Sequence, residues 1–137
     1  DNQHKRNLLI VDLGTTVSIT KIDHEGSLIG GQLLPGFTTQ LKSMEQNTKN
    51  LTFPNNIFIP INNFEINTIK AMLRGVYNSI IGAIHLSFNP NKDLLILCGG
   101  DANLIGKSIK NEISNFLIEP NLVMYGMIFL RKLRNFN

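Results

Sequence analysis

Residues 8–20 read LLIVDLGTTVSIT, placing an aspartate, Asp12, inside an apolar run and following it at once with Gly14, Thr15 and Thr16. A carboxylate in an apolar strand is costly unless it is paired, hydrogen-bonded or coordinated, so Asp12 calls for either a cation or donors at the strand's end, and a metal or monovalent ion would satisfy it. Gly14 lets the backbone turn sharply, and the amides and hydroxyls of Thr15 and Thr16 then suit a phosphate oxygen. A polar hairpin turn with no ligand has the same spacing. A second apolar run, DLLILCGG at 93–100, ends in Gly99 and Gly100 ahead of a helix start. Two glycine turns, each at the end of a strand, could converge on one cleft, one holding phosphates and the other lying flat beneath a nucleoside.

The elements that would position these residues follow from periodicity. Strands are predicted over 8–13, 17–23 and 28–34, with DHEGS at 23–27 as the turn between the second and third. After Pro35 and Gly36, the spacing of Phe37, Leu41 and Met44 predicts a helix to about residue 47. Residues 49–62 hold several asparagines, Pro54 and Pro60 without a sustained period, which predicts a mobile loop with a short apolar segment. From Thr68 an amphipathic helix of about five turns is marked by Ile69, Met72, Leu73, Val76, Ile80, Ala83 and Ile84, with Asn67 as its cap. Gly75 and Gly82 on that helix predict close approach by a neighbour, either another helix of this chain or a second subunit. The run at 93–100 is a buried strand, Asp101 or Ala102 opens a helix to about Lys110, and a last helix runs from about Asn121 to Arg134. Of the acids near these turns, Asp23 and Asp101 read as solvated turn or capping residues.

Composition narrows the function classes. The 137 residues are 42% hydrophobic and 17% charged, a globular balance, and predict one α/β domain. The lone Cys98 excludes a disulfide framework and reads as a small buried hydrophobe in a reducing compartment, so a cytoplasmic location is expected. No run approaches the roughly 20 apolar residues of a membrane span, and no signal peptide is expected. A formal charge of +3, with local concentrations of basic residues only at 4–6 and in RKLR at 131–134 and no aromatics interleaved with them, argues against nucleic acid. RKLR reads instead as cations in the last turn of a helix.

In order, VDLGTT, GGQLLPGF, NTIKAMLRGVYNSIIGAI and LLILCGGDANLI resemble the C-terminal half of a type III pantothenate kinase, from about residue 8 to residue 130. The resemblance implies a ribonuclease-H-like, actin-like ATPase domain: a three-stranded meander plus a further strand, with helices packed on the sheet. It implies that Asp12 binds potassium or ammonium, that Gly14, Thr15 and Thr16 contact ATP phosphate, and that Gly99 and Gly100 lie at the adenosine. Asn67 and Thr68 match the family's substrate position, where the threonine hydroxyl meets pantothenate at a subunit interface. Implied cofactors are ATP, Mg2+ and the monovalent cation, and the implied reaction is phosphorylation of pantothenate, the entry to coenzyme A synthesis.

The family's N-terminal kinase domain, with its D-x-G-N-T-x-x-K loop and the G-x-D-R aspartate that acts as base, has no counterpart in these residues, so no catalytic residue is assigned within them. Thr20 stands where the family carries an acid, and Cys98 where it carries a threonine. The expected protein is therefore half of a kinase, working as a homodimer or as a heteromer with a chain supplying the other half. The alternative is a non-catalytic, kinase-like regulatory or accessory module.

Overall fold

The computed structural model describes residues 5–134. Three antiparallel strands open the chain: β1 (Asn7–Leu13), β2 (Thr16–Ile22) and β3 (Leu28–Pro35). Helices α1 (Phe37–Asn47) and α2 (Thr68–Ser87) follow, then β4 (Asp93–Cys98), α3 (Ala102–Ile109), β5 (Phe116–Ile118) and α4 (Leu122–Arg134). The sheet order is β3-β2-β1-β4-β5, with β4 parallel to β1 and β5 parallel to β4. This mixed sheet with packed helices is the predicted α/β architecture.

Alternation along the strands decides where the core sits. Leu9, Val11 and Leu13 of β1, Val17 and Ile19 of β2, and Leu95 and Leu97 of β4 are buried, while Leu8, Ile10, Asp12, Leu94 and Ile96 between them are half-buried. Met72, Leu73, Val76, Tyr77, Ile80, Ile81 and Ile84 form the buried stripe of α2, at the i, i+3, i+4 spacing that a helix needs to cover one face. They join the strands in one cluster with Phe37 and Leu41 of α1 and Ile105 and Ile109 of α3. Asn67 caps α2 as predicted, its side chain accepting from the Lys70 amide at 3.0 Å.

The base of the sheet is locked by a buried acid. Asp93 is 1% exposed, and its Oδ2 accepts from Lys21 Nζ at 2.9 Å and from the Asn89 amide at 2.8 Å, while Oδ1 accepts from Asn7 Nδ2 at 3.3 Å. Burial alone would raise its pKa, but these donors outweigh it and hold the carboxyl below its ordinary value.

Two expectations change. The segment at 49–62 is irregular but tied down: Pro54 and Pro60 are buried, and Leu51, Phe53 and Ile59 pack on the core. Glu45 accepts from the Phe53 amide, and Arg74 Nη1 donates to the Pro60 carbonyl at 3.0 Å. Gly75 and Gly82 do not mark contact with another helix of the chain, since a Cβ at either meets nothing within 4 Å. The basic cluster at 131–134 does occupy the last turn of α4; of the one at 4–6, His4 lies outside the described residues.

Candidate functional site

Because β1 and β4 are parallel neighbours in register from Asn7–Asp93 to Asp12–Cys98, both strands finish at the same edge of the sheet. The turn after β1 and the glycine turn after β4 are therefore side by side, at the carboxyl ends of strands where open α/β sheets place ligands. The Asp101 amide donates to the Leu13 carbonyl at 2.9 Å, tying one turn to the other. Gly99 has φ +87°, and a Cβ there would lie 2.4 Å from Asp12 Oδ1 and 2.7 Å from the Leu13 backbone. Only glycine allows this approach.

A third turn closes the arrangement. The Gly36 amide donates to the Thr15 carbonyl at 2.8 Å, and Thr39 Oγ1 donates to the same oxygen at 2.7 Å. A Cβ on Gly36 would fall 1.8 Å from the Gly14 carbonyl oxygen. The start of α1 is thereby pinned against the β1–β2 turn.

Between these turns lies a crevice of about 380 Å3 lined by Leu13, Gly14, Thr15, Thr38, Thr39, Lys42, Gly100 and Asp101. Neither α1 nor α3 has a side chain hydrogen-bonded across its N-terminus, so backbone N–H groups and the positive ends of two helix dipoles remain available there. With the Lys42 ammonium and two threonine hydroxyls, this is a donor set suited to phosphate oxygens.

Of the predicted residues, Gly14, Thr15 and Gly100 line the crevice. Thr16 begins β2 and Gly99 supports the floor, without lining it. Asp12 faces away from Leu13 by strand alternation, half-buried, outside the crevice lining and with its carboxylate against Gly99. Among the described residues no cluster of three His, Cys, Asp or Glu groups could hold a metal ion, so a cation at Asp12 needs further oxygens from backbone or ligand. Asn67 and Thr68 are exposed at the start of α2, outside the crevice lining. Thr20 lies opposite Ile10 within the sheet and is likewise outside the lining.

Asp23 is the turn residue expected, its Oδ1 accepting from the Glu25 and Ser27 amides. Asp101 is not: it makes no capping bond, is half-buried, lines the crevice, and has its pKa raised by burial. Thr38, Thr39 and Lys42 were missed by sequence reasoning. The signal was present, because they occupy the face of α1 opposite Phe37 and Leu41, immediately after the Pro35-Gly36 break. Cys98 is fully buried as expected, and burial, with the Asp12 charge added, pushes its thiol up to about 11.

The family model for type III pantothenate kinase matches residues 1–89. A type III pantothenate kinase of Porphyromonas gingivalis is 31% identical over 127 residues, covering 88% of this chain and 51% of its own length. One from Synechococcus elongatus is 31% identical over 126 residues, covering 88% and 50%. The chain spans about half the length of the curated relatives it matches. Among solved structures, one from Campylobacter jejuni described under the Baf family of transcriptional activators superposes with a TM-score of 0.74 at 22% identity, covering 96% of this chain and 60% of its own. The apo psk41 parM protein superposes with a TM-score of 0.55 at 16% identity, covering 84% and 36%. Both share the fold, and with the family match over more than half the sequence, the chain belongs to the type III pantothenate kinase family.

Proposed function

We propose that this chain is the ATP-binding half of a pantothenate kinase, resembling the C-terminal domain of such enzymes, and that it phosphorylates pantothenate together with a complementary half. The observation that carries this reading is the convergence of the β1 turn, the β4 glycine turn and the start of α1 on one crevice with Lys42 at its wall. Gly14, Thr15 and Thr16 orient phosphate oxygens, Lys42 balances their charge, and Gly99 and Gly100 let the nucleoside approach the backbone. Asp12 holds a potassium or ammonium ion at the strand ends, and Mg2+ enters with ATP. Asn67 and Thr68 contact pantothenate, with Asn67 keeping its capping role.

No residue of the crevice is assigned as the base. Asp101 is the acid nearest that task, but a helix-start carboxyl beside phosphate serves better as an oxygen donor to the nucleotide's metal. Phosphoryl transfer depends on positioning and charge stabilisation from both walls of the cleft, so the complementary half, in the same polypeptide or a separate chain, supplies the base. The open Gly75 and Gly82 positions on α2 and the exposed Phe64 and Ile66 just before it suit a subunit contact next to Thr68. The enzyme would act in the cytoplasm, where coenzyme A synthesis draws on ATP.

The test is calorimetric titration of ATP with Mg2+ and potassium, followed by pantothenate-dependent ADP release once a complementary half is supplied. Nucleotide binding that weakens in Asp12→Asn, and turnover only in the reconstituted mixture, are expected. Binding of neither ATP nor pantothenate by the reconstituted protein overturns the reading, and ATP binding without turnover favours the accessory-module alternative.

A further inference from the structure

A second cavity, of about 300 Å3, lies between α2, α3 and the segment at 59–61, at the small end of the range for ligand pockets. It shares no lining residue with the crevice at the strand ends. Arg74 and Tyr77 of α2, Lys107 of α3 and Glu112 beyond it supply its charged and polar wall, and Ile59 and Ile61 add apolar surface. Cationic and anionic side chains therefore face one space.

Two of these charges are held in place by bonds that leave part of each unused. Arg74 donates from Nη1 to the Pro60 carbonyl at 3.0 Å and from Nη2 to Asn63 Oδ1 at 3.3 Å, and its guanidinium carbon lies 5.0 Å from the centre of the Tyr77 ring. Its Nε is buried with no acceptor among the described residues, an unmet donor that costs stability until a partner arrives. Glu112 Oε1 accepts from the Tyr77 hydroxyl at 3.2 Å, and Oε2 lies 3.1 Å from His85 Nε2. A carboxylate accepts about four hydrogen bonds, so each oxygen keeps room for another. Tyr77 is fully buried, and that burial, with the Glu112 charge added, raises its phenol above the ordinary value and keeps it a donor. Arg74 thus sits over the Tyr77 ring and Glu112 beyond its hydroxyl, yet the ion pairs among the described residues do not join the two.

Opposite charges that share a cavity without touching select a ligand that carries both signs. A phosphate dianion would meet Arg74 and Lys107 but also Glu112 and the negative end of the α3 dipole. A simple amine would meet Glu112 with two cations set against it. A zwitterionic amino acid satisfies both ends at once, and an aliphatic side chain suits Ile59 and Ile61.

We propose that this cavity binds a small aliphatic α-amino acid as its zwitterion, the carboxylate on Arg74 and the ammonium on Glu112, at a site separate from the crevice at the strand ends.

The test titrates L-leucine calorimetrically into the 137-residue chain beside two analogues that each lack one charge, isocaproate without the ammonium and isoamylamine without the carboxylate. One-to-one binding of leucine is expected, with each analogue bound at least about tenfold more weakly, since a charge-assisted hydrogen bond is lost. Glu112→Gln is isosteric and should remove leucine's advantage over isocaproate, while Arg74→Met should remove its advantage over isoamylamine. Unchanged circular dichroism confirms that each variant folds. Because Arg74→Met also frees the Pro60 carbonyl, Glu112→Gln decides the outcome if the arginine variant unfolds. Leucine should slow hydrogen exchange at residues 59–63 and 107–112. Failure of leucine to bind, equal affinity for all three compounds, or leucine binding unchanged in Glu112→Gln overturns the inference. Slowed exchange at residues 36–42 instead would place the ligand in the other crevice and overturn it as well.

Discussion

Replacing Gly36 by alanine isolates the contact that builds the crevice. Gly36 has φ −68° and ψ 173°, which any residue adopts, so the cost of a side chain there is steric and not conformational. The new Cβ would begin 1.8 Å from the Gly14 carbonyl oxygen and 2.7 Å from that of Thr15. Both are backbone atoms that cannot rotate aside, so relief requires the start of α1 to retreat from the β1–β2 turn. That retreat breaks the hydrogen bonds from the Gly36 amide and Thr39 Oγ1 to the Thr15 carbonyl, each worth about 1 kcal/mol. It also draws Phe37, 1% exposed, partly out of the core, adding about 1–2 kcal/mol. A loss of about 3–4 kcal/mol lowers the Tm of a chain this size by about 10 °C. Thermal unfolding followed by far-ultraviolet circular dichroism measures it, with Gly82→Ala as the contrast. There a Cβ meets nothing within 4 Å, and helix propensity alone predicts a gain of up to about 1 kcal/mol. A Tm for Gly36→Ala within about 2 °C of wild type would refute the tight three-turn junction.

Lys42→Ala removes the cation on the crevice wall, and a charge-assisted contact of about 1.5–3 kcal/mol corresponds to ATP binding weakened roughly tenfold to a hundredfold, read by calorimetry with the Tm unchanged. Asp93→Asn strips the carboxylate from Lys21 and costs about 2 kcal/mol near neutral pH. Because the folded carboxyl titrates below its unfolded value of 3.8, its stabilisation is present above that pH and lost as pH falls through the folded pKa. The Tm curves of wild type and variant should accordingly converge below about pH 4. Cys98, held protonated by burial up to about 11, should resist a thiol reagent at pH 8 in the folded protein and react in denaturant; rapid labelling of the native chain would mean that the β4 end opens.

Much of this protein is legible in one dimension because its elements carry strong periods. The stripe on α2 from Met72 to Ile84, the alternation along β1 and the capping side chain of Asn67 are local properties, and the structure reproduces them. The Gly14-Thr15 and Gly99-Gly100 turns were legible for the same reason, since a glycine directly after an apolar strand marks a backbone reversal. What sequence alone could not decide depends on pairing. β5, three residues long, is too short to show a period and exists because Leu97 and its neighbours in β4 offer an edge to pair with. The segment at 49–62 has a loop's composition, yet Arg74, Glu45 and the core hold it in place. The parallel register of β1 on β4 brought the two glycine turns together, and the Gly36 contact brought Thr38, Thr39 and Lys42 to the same crevice. Asp12 could be recognised from the chain as an acid in need of a partner, but only the alternation of side chains within the folded sheet set it on the opposite face from the crevice lining, against Gly99. Sequence determined which segments form helices and strands, because propensity and periodicity act over a few residues. Tertiary structure decided which of their ends meet, because register and close backbone approach are properties of pairs distant in the chain.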